Sequence, residues 1–146
     1  MTADTIERLD TLFNESPVMC AEEVPSNEEV DIAEQQIGVP FPQDFRAFIL
    51  KYGGAVVGPY PIFGLRAAHV MDEDNWSVVE VTKQLRQMGI DNANHWIMIS
   101  EDHAGNPIGM AADGKVFIYD HDFDGVSEIA TTFEEYLRRV CLKLNT

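Results

Sequence analysis

The segment Asp120-His121-Asp122-Phe123-Asp124-Gly125 sets three carboxylates at alternate positions ahead of a glycine, the pattern that opens a calcium loop. Calcium takes six or more oxygens, and the twelfth position of such a loop supplies a bidentate Glu. Here Thr131 stands at that position, Ser127 occupies the eighth, usually apolar one, and the residues before Asp120 read as a strand rather than a helix. The pattern therefore argues against an EF-hand and for an acidic turn that could serve a basic partner. His103 follows Glu101 and Asp102, while His69 and His95 are isolated, so no two imidazoles share the i, i+4 spacing of a metal site. A His beside carboxylates could act as a general base, but in an acidic chain a surface group is the plainer expectation. Ser100 near His103 lacks a G-x-S-x-G elbow, and neither a Walker loop nor G-x-G-x-x-G occurs. No catalytic residue, metal or cofactor is expected.

A second acidic group, Glu22, Glu23, Glu28, Glu29, Asp31 and Glu34, brackets a helix start. First-turn carboxylates complement the helix dipole, which accounts for part of it. The remainder reads as part of a recognition surface. The whole chain follows suit, with 25 Asp and Glu against 10 Lys and Arg and a net charge of −15 over 146 residues. Residues 1–50 carry 11 acids against two bases, 51–100 five against four, and 101–146 nine against four. Such a balance repels phosphate backbones and anionic membranes, so neither nucleic acid nor a membrane is an expected partner. It attracts cationic proteins, although a charged surface also serves solubility.

The elements that must position these residues are legible from periodicity. Ile6, Leu9, Leu12 and Phe13 share one face of a helix over Thr5–Phe13, with Asp4 and Glu7 near its start. Ser26-Asn27-Glu28-Glu29 reads as a capping box, Val30, Ala33 and Ile37 continue that helix, and Gly38 ends it. Pro42 fits a first helical position, followed by Phe45, Phe48, Ile49 and Tyr52 on a core face and Gly53-Gly54 as a stop. Extended segments are predicted at Ala55–Val57 and Pro61–Leu65, with Gly64 marking a bulge or a close backbone approach. Ser77–Met88 fits either a helix ending at Gly89 or, through its Val-Val-Glu-Val-Thr, a strand.

From residue 95 the period becomes two. Trp96–Ser100, Pro107–Ala111 and Lys115–Tyr119 read as strands, Asp113-Gly114 as a hairpin turn, and Ser127–Ala130 as a short further strand. A closing helix follows, capped by Thr132 and Glu135, with Phe133, Tyr136, Leu137, Val140, Cys141 and Leu144 as its apolar face. Helices first, strands next and a final helix predict an α+β fold with a mainly antiparallel central sheet, one domain over residues 1–146. No linker, repeat or membrane-length apolar run interrupts it. The first residues lack a basic and apolar leader, so the cytoplasm is the expected compartment, with Cys20 and Cys141 as reduced thiols.

Gly38-Val39-Pro40-Phe41-Pro42, then Phe45, Phe48-Ile49 and Tyr52-Gly53-Gly54, resembles the signature of the SUKH superfamily, which includes bacterial immunity proteins and fungal cell-wall regulators. Ile62-Phe63-Gly64-Leu65 resembles its apolar-x-Gly element and Trp96–Ser100 its next strand. Asp113–Phe117 is similar to its hairpin and Thr132–Leu137 to its closing helix, so the resemblance runs over about residues 22–142. Two departures stand out: Tyr-Gly-Gly replaces the commoner Asn-Gly stop, and residues 66–95 carry no family motif.

The resemblance implies a central sheet with flanking helices and a non-enzymatic role, commonly neutralising a toxin domain, often a nuclease. Glu22, Glu23, Asp120, Asp122 and Asp124 are the candidate partner-binding residues, and a basic protein toxin the expected partner. Two alternatives stand beside this: a regulatory module with a host protein partner, and a small-molecule binder or hydrolase using His103 or His121. Nothing in the pattern specifies an oligomeric state.

Overall fold

The computed structural model describes residues 1–71, 73–90 and 93–145. Helix α1 runs Ala3–Glu15, starting earlier than periodicity indicates because the Thr2 hydroxyl caps it by accepting the Thr5 N–H. A short 3-10 turn at Pro17–Met19 leads to α2, Asn27–Ile37. Both halves of the Ser26–Glu29 capping box form, and Gly38 ends the helix at φ 80°. In α3, Gln43–Tyr52, Pro42 is the N-cap rather than the first helical residue, since its ψ of 149° is still extended. Then come β1 (Ala55–Val57) and β2 (Tyr60–Ile62), an antiparallel hairpin. Residues 77–88 resolve to a helix, α4 over Val78–Gln87, capped by the Ser77 hydroxyl. The buried hydroxyl of Thr82 accepts the Met98 N–H, so a helical face, not a β ladder, is what this segment supplies.

The second sheet is an antiparallel meander: β3 (Ile97–Glu101), β4 (Pro107–Met110), β5 (Val116–Asp120) and β6 (Gly125–Ala130), in that spatial order. The last strand spans six residues and is longer than Ser127–Ala130 alone, because Tyr119 and Asp120 extend the ladder to Val126 and Gly125. The two sheets adjoin where the Phe63 N–H donates to the Ile99 carbonyl (2.9 Å) and the Ser100 hydroxyl to the Pro61 carbonyl (2.5 Å). At the β1 end, Cys20 bridges Ala55; at the other end, β6 is the edge. The chain closes with α5 (Phe133–Glu135), capped by Thr132, which widens into a π-helical turn at Tyr136–Cys141.

Aromatic rings centre the main core. Phe45 meets Phe133 edge to face at 5.0 Å and Phe41 at 5.2 Å, while Phe48 reaches both Tyr52 and Phe133. Tyr136 is fully buried, and its hydroxyl donates to Ser100 at 2.9 Å. Alternation along β5 sends Phe117 and Tyr119 to the other face of the sheet, where Trp96 stacks on Phe117.

Glu134 ties α5 to α1 by accepting from the Thr2 N–H (2.9 Å) and from the Thr2 and Thr5 hydroxyls. Burial alone would raise its carboxyl, but these donors outweigh burial and hold it below the ordinary 4.5. A depressed folded-state value stabilises the fold above the unfolded value and loses that contribution as pH falls through the folded one. The urea midpoint should therefore drop between pH 7 and about pH 3.5, and drop less in Glu134→Gln; equal drops in both proteins would remove this carboxyl from the acid response.

Candidate functional site

The first acidic group is built by backbone contact. The Ala21 N–H donates to the Gly54 carbonyl at 3.0 Å, laying residues 20–23 along the end of α3. Gly53, at φ 78°, gives its carbonyl to both Leu65 N–H (2.8 Å) and Arg66 N–H (3.1 Å). A Cβ on Gly64 would overlap the Gly53 carbonyl oxygen, and one on Gly54 would overlap the Arg66 carbonyl. Gly64 thus serves close backbone approach, one of the two roles its position predicts. Glu22 and Glu23 are exposed on the rim of a shallow groove of about 190 Å³ that they share with Arg66 and His69. The Glu22 carboxylate meets His69 Nε2 at 2.6 Å.

Most of the neighbouring acids are already engaged. Glu29 pairs with Arg66 at 2.8 Å, and that guanidinium is the main reason its carboxyl lies below the usual range. Arg46 joins Asp31 (2.8 Å) and Glu34 (3.2 Å), and Glu34 also accepts the Phe41 N–H. Only Glu23 and Glu28 of this group have no side-chain partner among the described residues.

The second group sits on the turn between β5 and β6, and it is braced. Asp120 Oδ1 accepts the Asp122 N–H at 2.9 Å, Asn106 Oδ1 accepts the His121 N–H at 2.9 Å, and the Tyr119 hydroxyl donates to Asp124. That bond, ahead of burial, raises the Tyr119 hydroxyl. Asp124 takes φ 48°, a left-handed conformation that Asp tolerates. Asn106 is itself held by Asp102, whose carboxyl burial pushes up but which the Asn106 and Ala104 donors bring to a net lowered value. Asp120 is half-buried; Asp122 and Asp124 are exposed, and the Asp122 carboxylate accepts nothing among the described residues. The strand before this turn and its hairpin geometry show what the sequence motif is here, a tight β-turn between paired strands.

Glu22 and Glu23 therefore lie beside β1, and Asp120, Asp122 and Asp124 beyond β5. The two groups belong to different sheets, and no hydrogen bond or ion pair joins them among the described residues, so the candidates form two clusters rather than one. Sequence reasoning missed the residue at the centre of the second. Phe123 is 83% exposed, more than any other large apolar side chain among the described residues. Its signal was present: turn chemistry asks for Asp and Gly at such a tip, not for a phenyl ring.

The residues weighed for catalysis are not assembled for it. Ser100 is fully buried between the Pro61 carbonyl and the Tyr136 hydroxyl, while His103 and His121 are exposed. Among the described residues, no three His, Cys, Asp or Glu side chains gather as metal ligands, and no helix is long and apolar enough to cross a membrane. Cys20 and Cys141 are free thiols, and burial pushes the Cys141 thiol up to about 12.

A crystal structure of a protein from Pseudomonas syringae pv. tomato shares the fold, with a TM-score of 0.74 at 22% identity, covering 97% of this chain and 99% of that one. No curated protein matches the sequence. The family model SUKH_5, described as SMI1-KNR4 cell-wall, matches residues 2–142. With fold, motif order and nearly the whole length in agreement, the chain belongs to the SUKH_5 family.

Proposed function

We propose that this chain is a non-enzymatic, cytoplasmic protein-binding module of the immunity type, which neutralises a cationic toxin domain by direct binding. Nucleases are the toxin class best matched by charge, because a protein that grips phosphates is itself basic. The observation that carries the reading is the state of the chain's own cations. Every Lys and Arg except Arg86 and Lys143 already faces a carboxylate, among the described residues, and a net charge of −15 remains. The surplus is surface carboxylate, including Glu23, Glu28 and Asp122, that a basic partner would neutralise. A field of one sign accelerates encounter with its opposite, and exposed rim charges act mainly on the association rate.

The test is stopped-flow mixing with a toxin encoded beside this gene. The association rate constant should fall by about 10-fold or more from low to physiological ionic strength, with a much smaller change in dissociation. A rate indifferent to salt would remove the electrostatic part of the reading. Turnover of any substrate that disappears in His103→Ala or His121→Ala would replace it with an enzyme. The cell-wall wording of the family description favours a second reading, a regulatory module with a host protein partner; a gene neighbourhood without a toxin is its discriminating observation.

A further inference from the structure

Resting on the protein-binding reading above, we propose that the β5–β6 tip is a docking surface on which Phe123 is the anchor, and that it takes a cationic protein face bearing an apolar pocket. Four observations support this. Phe123 is 83% exposed, whereas Val18, Val24, Ile32, Val70 and Met88 are each about half exposed and lie on other segments. Val126, 42% exposed, stands opposite Tyr119 in the ladder of the same strand pair, so a second exposed apolar side chain belongs to this hairpin. The tip is fixed in advance by the bonds from Asp122, His121 and Tyr119 to Asp120, Asn106 and Asp124, which reduces the ordering a partner must impose. Finally, no Lys or Arg occurs between residues 116 and 137, while Asp120, Asp122, Asp124 and Glu128 do. An aromatic ring collared by carboxylates rejects anionic surfaces and fits a pocket rimmed by Lys or Arg.

The roles divide accordingly. Asp120 and Asp124 brace the turn, Asp122 faces solvent as a steering charge, and Phe123 supplies the contact whose loss shortens the lifetime of a complex. The ring is almost wholly in solvent, so Phe123→Ser should keep the wild-type urea midpoint.

Defined probes separate the possibilities: an amphipathic Lys/Leu peptide, a Lys/Ser peptide of equal length and charge, and a Glu/Leu peptide, each titrated by NMR into the full chain. The Lys/Leu peptide should shift the amides of Tyr119–Val126 and bind about 10-fold or more weakly to Phe123→Ser. Asp122→Asn should slow its association at low salt and leave dissociation nearly unchanged. The Glu/Leu peptide should not bind. Shifts centred elsewhere, undiminished binding to Phe123→Ser, equal binding of the Lys/Ser peptide, or a dimer of this chain abolished by Phe123→Ser would each overturn the proposal. A cognate toxin that binds Phe123→Ser as tightly as wild type sinks this surface and leaves the proposed function standing. The Lys/Leu peptide docking at Phe123 while no toxin binds does the reverse.

Discussion

Truncating Phe45 to Ala is expected to lower the unfolding free energy by about 3–5 kcal/mol, read as a matching drop in the urea midpoint at unchanged slope. The ring has no exposed surface and sits edge to face between Phe41 and Phe133. Removing it deletes the transfer free energy of a phenyl group and leaves a cavity that α3 and α5, both anchored at their ends, cannot close. Each edge-to-face pair adds about 0.5–1.5 kcal/mol beyond area, which places Phe45 near the top of that range. A domain of this size commonly has about 5–15 kcal/mol in total, so the variant should be at the margin of folding at 37 °C. A loss under about 1 kcal/mol would mean that the aromatic cluster repacks freely and is not the centre of the core. Phe123→Ser, the same residue type in open solvent, is the natural control.

Gly64→Ala should cost about 3 kcal/mol or more for a different reason. The added methyl would occupy the space of the Gly53 carbonyl oxygen, which already accepts from Leu65 and Arg66. No flexible side chain can yield there; backbone must move against backbone. Gly38→Ala isolates the alternative cause, since Gly38 has the positive φ (80°) but nothing within 4 Å of its missing Cβ. It should cost only about 1–2 kcal/mol of left-handed strain. If the two variants melt together, crowding at Gly64 is not the constraint. Because residues 20–23 hang on the same junction through Gly54, Gly64→Ala should also alter the amide resonances of Glu22 and Glu23 while leaving those of Asp122–Asp124 in place.

What the sequence disclosed was what short range decides. The Ser26–Glu29 box, the Gly38 stop, the Phe45–Phe48–Tyr52 face and the Asp113-Gly114 turn each need only a few neighbouring residues to form, and each formed. Ser77–Met88 was undecidable locally because its valines suit both states; contact with β3 through Thr82 settles it. The widening at Tyr136–Cys141 follows no residue pattern that periodicity detects. The acids show the same division more sharply. Counting carboxylates gave the sign of the surface, but which ones stay unpaired depends on Arg46, Arg66 and His69, all distant in the chain. Motif reading likewise marked Asp120, Asp122 and Asp124 for their ligand-like spacing and passed over the phenylalanine between them.

β1 and β6, each an outer strand of its own sheet, differ in what lies beyond them, and the difference bears on how copies could join by strand pairing. Cys20 occupies the outer side of β1, whereas β6 has no strand beyond it among the described residues. Edge-to-edge pairing needs two open edges. Two copies that met β6 to β6 would use up both of those edges, so that mode of pairing stops at two. Pairing through β6 therefore leads to a finite pair, and growth beyond two would have to recruit a different edge.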